Sequence, residues 1–364
     1  MKIAIIGTRG IPNNYGGFEQ FAQYLSLYLV KQGVDITVYN SSSHPFQESN
    51  WNGINIVHKN DPENKLGTFG QFIYDLNCIL DTRKKKFDII LQLGYTSSSI
   101  WGFLLPRKSL TITNMDGLEW KRSKYNLAVR RFLKLAEYLA IVFSDVLVSD
   151  SIGIRSYLKN KYDRHSNYIP YGADTFNSPE IKILKDFNVK PDNFNILVAR
   201  MEPENNIHII LEGAQYSEIP LLIIGSTENS YGKKLKLKWK QKTDYRFLGS
   251  IYDQKILDNL RYYSNLYFHG HSVGGTNPSL LEAMASKAFI VAHSNIFNKS
   301  ILGNDALYFI NAKDIHELFK SNEYQGKRLG AIKNNIEKID KIYNWSKVNE
   351  KYKRLFEESL KYQH

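Results

Sequence analysis

The stretch from His269 to Ala285 reads HGHSVGGTNPSLLEAMA. It holds two histidines, paired glycines, a run of small polar residues, a proline and one acid, Glu282. Pro278 suits the first position of a helix, where its missing N–H is not needed. Thr276 or Asn277 supplies the cap. Gly274 and Gly275 let a ligand come close to the backbone. The N–H groups of Thr276, Asn277, Ser279 and Leu280, with the helix dipole behind them, suit an anion such as phosphate. One turn further in, Glu282 would repel phosphate but accept hydrogen bonds from ribose hydroxyls. A nucleotide diphosphate offers both partners. The bland alternative is a structural turn with a solvated glutamate.

Other residues bear on the chemistry. GTRGIPNNYGGFE (7–19) follows a strand-like run and opens a helical one. It lacks G-x-G-x-x-G spacing and GK[ST], so neither a dinucleotide fingerprint nor a P-loop is supported. Asp116 and Glu119, in TNMDGLEWKRSKYN (113–126), have the chemistry to bind an acceptor hydroxyl. The alternatives are a turn aspartate and a solvated glutamate. His269 and His271 lie beside the glycine loop. His58, His165, His208 and His316 show no metal-ligand spacing, so no essential metal is expected. No short-spaced carboxylate pair of the kind a glycosidase needs is present.

Short apolar runs alternate with helical periods. KIAIIG, DITVYN, INIVH, FDIILQLG, LTITNMDG and DVLVSD read as strands, with helices such as FEQFAQYLSLYLVKQG between several of them. The rhythm pauses near 170–192, then restarts with NFNILVAR, PLLIIGS, YRFLGS, NLYFHGHS and FIVAHS. The alternation predicts an α/β protein with parallel sheets covered on both faces, in two Rossmann-like domains.

The 364 residues carry a net charge of +12, which favours an anionic partner. A single cysteine, Cys78, excludes an intramolecular disulfide. No apolar run reaches the length of a membrane span, and the N-terminus does not read as a signal peptide. The expectation is a cytoplasmic protein, peripheral at the inner face of the membrane. Lys121, Arg122, Lys124, Arg130 and Arg131, with Trp101, Phe103, Trp120 and Tyr125, suit an anionic bilayer surface. KKLKLKWKQK (233–242) reads as a solvated helix. No zinc-finger, helix-turn-helix or RNP string supports a nucleic-acid partner.

GGTNPSLLEAMA resembles the donor-binding segment of retaining, GT-B-fold glycosyltransferases of family 4. That family shows two glutamates separated by seven residues. Glu282 matches the second, and the first falls on Gly274, so His271 or Asn277 is the candidate substitute for its contact with the donor sugar. ILVARMEPENN (196–206) resembles the segment supplying an arginine and a lysine to the diphosphate. Arg200 matches the arginine and Asn205 stands at the lysine. FLGSIYDQKILDNL resembles the loop that holds the base through its backbone at Gly249, Ser250 and Ile251. The loop bearing Gly16 and Gly17 corresponds to the one facing the donor. With DGLEWKR, these strings look like a bacterial subgroup that includes capsule and exopolysaccharide rhamnosyltransferases.

The resemblance implies a GT-B architecture: two Rossmann-like domains facing a central cleft, with a C-terminal helix crossing back to the first. The segments are 1–172 for the acceptor, 173–342 for the nucleotide sugar and 343–364 for that helix. It implies transfer of L-rhamnose from dTDP-L-rhamnose, with retention, to a lipid-linked glycan. Arg200, Asp116 and His271 are the catalytic candidates, and the nucleotide sugar is a co-substrate with no further cofactor. A UDP-sugar-dependent hexosyltransferase is the nearest alternative, and a nucleotide-sugar epimerase is a more distant one.

Overall fold

The computed structural model describes every residue except 116, 123, 124, 322, 323 and 362–364. Asp116 and Lys124 therefore lie outside the described residues. The chain divides into two compact units. The first comprises Met1–Lys121, Tyr125–Tyr171 and the segment from Trp345 onward, and the second comprises Gly172–Asn344 together with Arg122.

The first unit holds β1 (Lys2–Ile6), β2 (Asp35–Ser41), β3 (Asn50–Trp51), β4 (Ile54–Lys59), β5 (Ile89–Leu93), β6 (Leu110–Asn114), β7 (Val146–Ser149) and β8 (Asn167–Tyr168). They form one sheet in the order β3-β4-β2-β1-β5-β6-β7-β8. Every pairing is parallel except β3 with β4. Ile3, Ala4, Ile5 and Ile6 are all fully buried. Four consecutive buried apolar residues belong in a sheet covered on both faces. One such cover is the helix Thr68–Thr82, whose Tyr74, Cys78 and Ile79 close over Ala4, Ile6 and Ile90. The other includes the helix Gly17–Lys31. The last helix, Trp345–Lys361, lies against it through Tyr24 stacked on Trp345 at 4.5 Å and Phe21 beside Tyr352 at 4.9 Å.

The second unit holds β9 (Asn195–Val198), β10 (Leu221–Ile224), β11 (Tyr245–Gly249), β12 (Tyr267–His269), β13 (Ile290–His293) and β14 (Leu307–Phe309), ordered β11-β10-β9-β12-β13-β14 and parallel throughout. Its core gathers Leu197, Ile210, Leu221, Ile223, Phe268 and Val291.

Each sheet has a place where the strand order reverses: between β1 and β5 in the first, between β9 and β12 in the second. Ligands of open α/β sheets bind beyond the strand ends at such points. The loop after β1 begins at Gly7, and the loops after β9 and β12 carry Arg200 and the glycine stretch.

Candidate functional site

The two segments flanking the reversal in the second unit are laced together. Gly270 runs so close to the turn at Asn205 that an added Cβ would lie 2.0 Å from its carbonyl oxygen. The Asn206 side-chain amide donates to the Gly270 carbonyl at 2.8 Å, and the Ser272 hydroxyl donates to the Glu204 carbonyl at 2.7 Å. Asn205 is buried, and its side-chain amide donates to the Arg200 carbonyl at 2.8 Å. The sequence placed Asn205 among the ligand contacts; the structure makes it a support for the backbone of Arg200. The Arg200 side chain is exposed, with no hydrogen bond or ion pair for its guanidinium among the described residues. Arg122, expected in a lipid-facing basic patch, instead lies 3.5 Å from Glu202 and 3.8 Å from Glu204.

Gly274 has φ +134°, a backbone that L side chains resist, with open space where a Cβ would sit. That backbone explains why a glycine stands where the family places its first glutamate. The helix Pro278–Ala285 starts as its sequence dictates, with Pro278 in the first turn and Asn277 as cap, its side-chain oxygen accepting from the Ser279 N–H at 3.0 Å. The Leu280 N–H goes to the Asn277 carbonyl at 3.0 Å, and the Leu280 side chain is fully buried. The Ser279 and Leu280 N–H groups, expected to meet a phosphate, are thus committed to the helix's own cap. Thr276 is buried and Gly275 is half-buried in the loop ahead of it.

Glu282 has a partner that sequence reading missed. Arg261 is fully buried, and its Nη2 lies 2.7 Å from the Glu282 Oε2. Its Nη1 donates to Asp258 at 3.1 Å, and Ser286 donates to the same carboxylate at 2.9 Å. Burial pushes the Asp258 carboxyl up, with Arg261 opposing. The hydroxyls of Tyr267 and Ser279 join the group, 2.7 Å apart. A signal existed in the sequence: Arg261 sits on the apolar face of the helix Gln254–Tyr263, beside Leu257 and Leu260, where a cation needs a buried anion.

His269 and His271 stack at 4.4 Å, 16° from coplanar. Both nitrogens of His269 and the Nδ1 of His271 find no hydrogen-bond partner among the described residues. Burial, and then the charge of Arg200, pushes the His271 imidazole down to about 3. Burial also holds His269 well below the usual histidine range. Both rings are neutral near pH 7, so His271 offers a neutral hydrogen-bonding group beside a cation. Gly249, with φ +76°, ends β11 and accepts from the Gly225 N–H at 2.8 Å. Ser250 is exposed and Ile251 half-buried just beyond it.

In the first unit, Gly16 precedes the helix that Gly17 opens. The Glu19 carboxylate accepts from the Thr8 hydroxyl at 3.2 Å and the Arg9 N–H at 2.8 Å. Asn40 holds both the N–H and the carbonyl of Ile11, at 3.1 and 2.8 Å. Glu119 is half-buried in the short turn Glu119–Lys121. Trp101 and Trp120, expected at a bilayer, are partly buried, and their indoles donate to the Phe72 carbonyl at 2.9 Å and to Glu137 at 3.1 Å. Among the described residues no group of three or more His, Cys, Asp or Glu is placed to hold a metal.

With this geometry in place, residues 180–327 match the family described as glycosyl transferases group 1. That match lies within the second unit. Residues 1–174 match a domain of unknown function, DUF1972. No curated protein matches the chain. Solved structures do. A sucrose-phosphate synthase from Thermosynechococcus elongatus is 15% identical with a TM-score of 0.81, covering 98% of each chain. The Anabaena protein HepE, in complex with UDP and glucose, is 13% identical with a TM-score of 0.76, covering 98% of this chain and 99% of that one. A glycosyltransferase from Rickettsia africae is 14% identical with a TM-score of 0.73, covering 99% and 98%. The fold is that of the GT-B glycosyltransferases.

Proposed function

We propose that the chain transfers a sugar from a nucleotide diphosphate donor, with retention, to a lipid-linked or growing polysaccharide. The observation that carries this is the Arg200 guanidinium, unpaired among the described residues at the strand-order reversal of a group 1 glycosyl transferase domain. As the glycosidic bond breaks, negative charge develops on the departing diphosphate. A preorganised cation there stabilises the transition state more than the ground state. The glycine loop brings backbone close to the phosphates, Glu282 accepts from the ribose, and the backbone at Gly249, Ser250 and Ile251 holds the base. His271 is neutral, so it meets sugar hydroxyls without repelling the oxocarbenium-like centre as a cation would. The reaction runs by front-face attack, a donor phosphate oxygen helping to take the acceptor's proton. Asp116 binds the acceptor hydroxyl, and Gly16 and Gly17 belong to the donor-facing loop.

The donor read from the rhamnosyltransferase-like strings is dTDP-L-rhamnose, and the product enters capsule or cell-wall polysaccharide. The protein works at the inner face of the cytoplasmic membrane. A UDP-hexose donor is the second reading, favoured by the similarity to HepE, whose structure holds UDP and glucose.

The test is calorimetric titration of the protein and of Arg200→Ala with dTDP and UDP. A nucleotide should bind the wild type, and Arg200→Ala should lose about tenfold or more in affinity, as expected for hydrogen bonds to a charged group. Turnover in the variant should fall by about 10²–10³-fold. Unchanged affinity in Arg200→Ala overturns the diphosphate assignment. UDP binding as tight as dTDP selects the second reading.

A further inference from the structure

The helix Leu127–Phe143 in the first unit presents an unusual outer face. Leu127, Leu135, Tyr138 and Val142 are between 52% and 73% exposed. With Arg131 they fall within an arc of about 80°, at 100° per residue. Its buried side, with Leu133, Ala136, Ala140 and Ile141, already faces the protein. An amphipathic helix normally turns its apolar side inward, so a second apolar stripe facing outward needs a partner.

Further exposed rings stand on neighbouring elements of the same unit, linked to the helix through Phe132 and Phe143 beside the stripe. Phe103 is 63% exposed, and the adjacent Gly102 is covered by the Phe143 ring so closely that a Cβ would lie 2.3 Å from it. Phe69 is 64% exposed and is joined to the helix by a line of rings, Phe69 to Phe72 at 6.0 Å and Phe72 to Phe132 at 5.6 Å. Leu66 is exposed three residues earlier, next to Lys65.

The charges on this face have one sign. Arg131 and Lys134 are exposed, with Lys134 lying 4.4 Å from the centre of the Trp120 ring. The one acid on the helix, Glu137, has its side chain 1% exposed and accepts from Trp120, Tyr157 and Tyr162 within the protein. A second copy of the chain meeting this face across a two-fold axis would set arginine and lysine against themselves, with no exposed carboxylate on the helix to answer them. Among the described residues no helix is long and apolar enough to cross a membrane. Leucine, valine, tyrosine and phenylalanine with cations alongside fit an interface instead, with apolar groups at the acyl boundary and cations among anionic headgroups.

We propose that the outer face of the helix Leu127–Phe143, extended by Phe103 and Phe69, docks the protein on an anionic lipid surface. This rests on, and deepens, the lipid-linked acceptor in the proposed function. It also replaces most of the patch expected from sequence. Arg122, Trp101 and Trp120 are engaged within the protein, whereas Phe103 and Arg131 belong to the docking face.

The test is co-sedimentation of the full chain with vesicles of phosphatidylcholine alone, or mixed with phosphatidylglycerol. Binding should require phosphatidylglycerol and weaken as salt rises. Leu135→Glu with Tyr138→Glu should reduce it at least tenfold, and Arg131→Glu with Lys134→Glu should remove the preference for phosphatidylglycerol. Because these side chains are exposed, melting temperature and nucleotide titration should match the wild type. Wild-type protein that ignores phosphatidylglycerol vesicles overturns the proposal. So does vesicle binding unchanged in Leu135→Glu with Tyr138→Glu, or a wild-type dimer that this variant dissociates. Vesicle binding needs no nucleotide, so its failure leaves the donor assignment standing. A failed nucleotide titration with intact vesicle binding separates the two in the other direction.

Discussion

Two glycine-bearing loops follow central strands where strand order reverses, and they are built in opposite ways. In the first unit the loop from Gly7 to Glu19 has these polar groups taken up within that unit. Glu19 takes the Thr8 hydroxyl and the Arg9 N–H, Asn40 takes both backbone groups of Ile11, and the Arg9 guanidinium forks onto Glu63 at 2.7 and 3.1 Å. In the second unit the segments around Arg200 and His271 leave side-chain groups unspent: the Arg200 guanidinium and the His271 Nδ1 find no partner among the described residues. What fixes that site lies beneath it, in Arg261 with Glu282 and Asp258. Glycines mark where backbone must turn or come close. Where the polar side chains go distinguishes a closed loop from one open to a ligand.

The largest effect expected from this contrast is at Arg261. Replacing it with methionine leaves Glu282 and Asp258 without their buried cation, a loss of about 3–5 kcal/mol in the stability of the second unit. Denaturant unfolding reads it directly. Nucleotide affinity should fall as well, because Glu282 loses the guanidinium that aims it. Arg200→Ala should do the reverse, weakening affinity while stability holds. If Arg261→Met unfolds at the wild-type denaturant concentration, the open loop has no buried support and the contrast fails.

A smaller effect is expected at Glu19. Glu19→Ala strands the Thr8 hydroxyl and the Arg9 N–H in a buried place, costing about 1–3 kcal/mol. The loss should show in unfolding of the first unit, with nucleotide affinity changed much less than by Arg200→Ala. A variant of wild-type stability that no longer binds nucleotide would mean that the Glu19 side chain meets the donor, and not the glycine backbone of that loop alone.

Much of the fold was legible because most of its strands carry short apolar runs and its helices are periodic. The eleven runs read as strands each overlap an observed one, from Lys2–Ile6 to Ile290–His293. Three strands escaped, Asn50–Trp51, Asn167–Tyr168 and Leu307–Phe309, all too short for any period to declare itself. The helices Ile152–Tyr162 and Ile296–Leu302 also escaped, although Ser151 and Asn295 cap them in ordinary fashion. At the candidate site, the cap at Asn277 and the first-turn Pro278 were readable from local rules. The commitment of Asn205 to Arg200, and the burial of Arg261 under Glu282, were not. The first is a turn-back of five residues in a loop that has no period to declare it, and the second joins residues 21 apart that only the packed fold brings near.

The mildest way to separate the two units is pH. Buried titratable groups in each have been pushed in opposite directions. In the second unit the folded protein keeps His271 neutral down to about 3, against an ordinary 6.5. Below 6.5 the unfolded chain binds the proton and the folded one does not, so this contribution is full above 6.5 and is lost as pH falls toward 3. His269 acts in the same direction. In the first unit, burial pushes Asp75 up to about 7 from 3.8, while its bond from Ser97 at 2.6 Å opposes that shift. Here the folded state holds the proton longer, so the contribution is full below 3.8 and is lost as pH rises to about 7. Melting temperatures between pH 4 and pH 8 should therefore respond oppositely to two substitutions. His271→Asn should soften the loss of stability on acidification, and Asp75→Asn should soften the loss on approaching neutrality. Parallel profiles for His271→Asn and wild type would mean that the imidazole is already solvated, and that the site beside Arg200 is wetter than its packing shows.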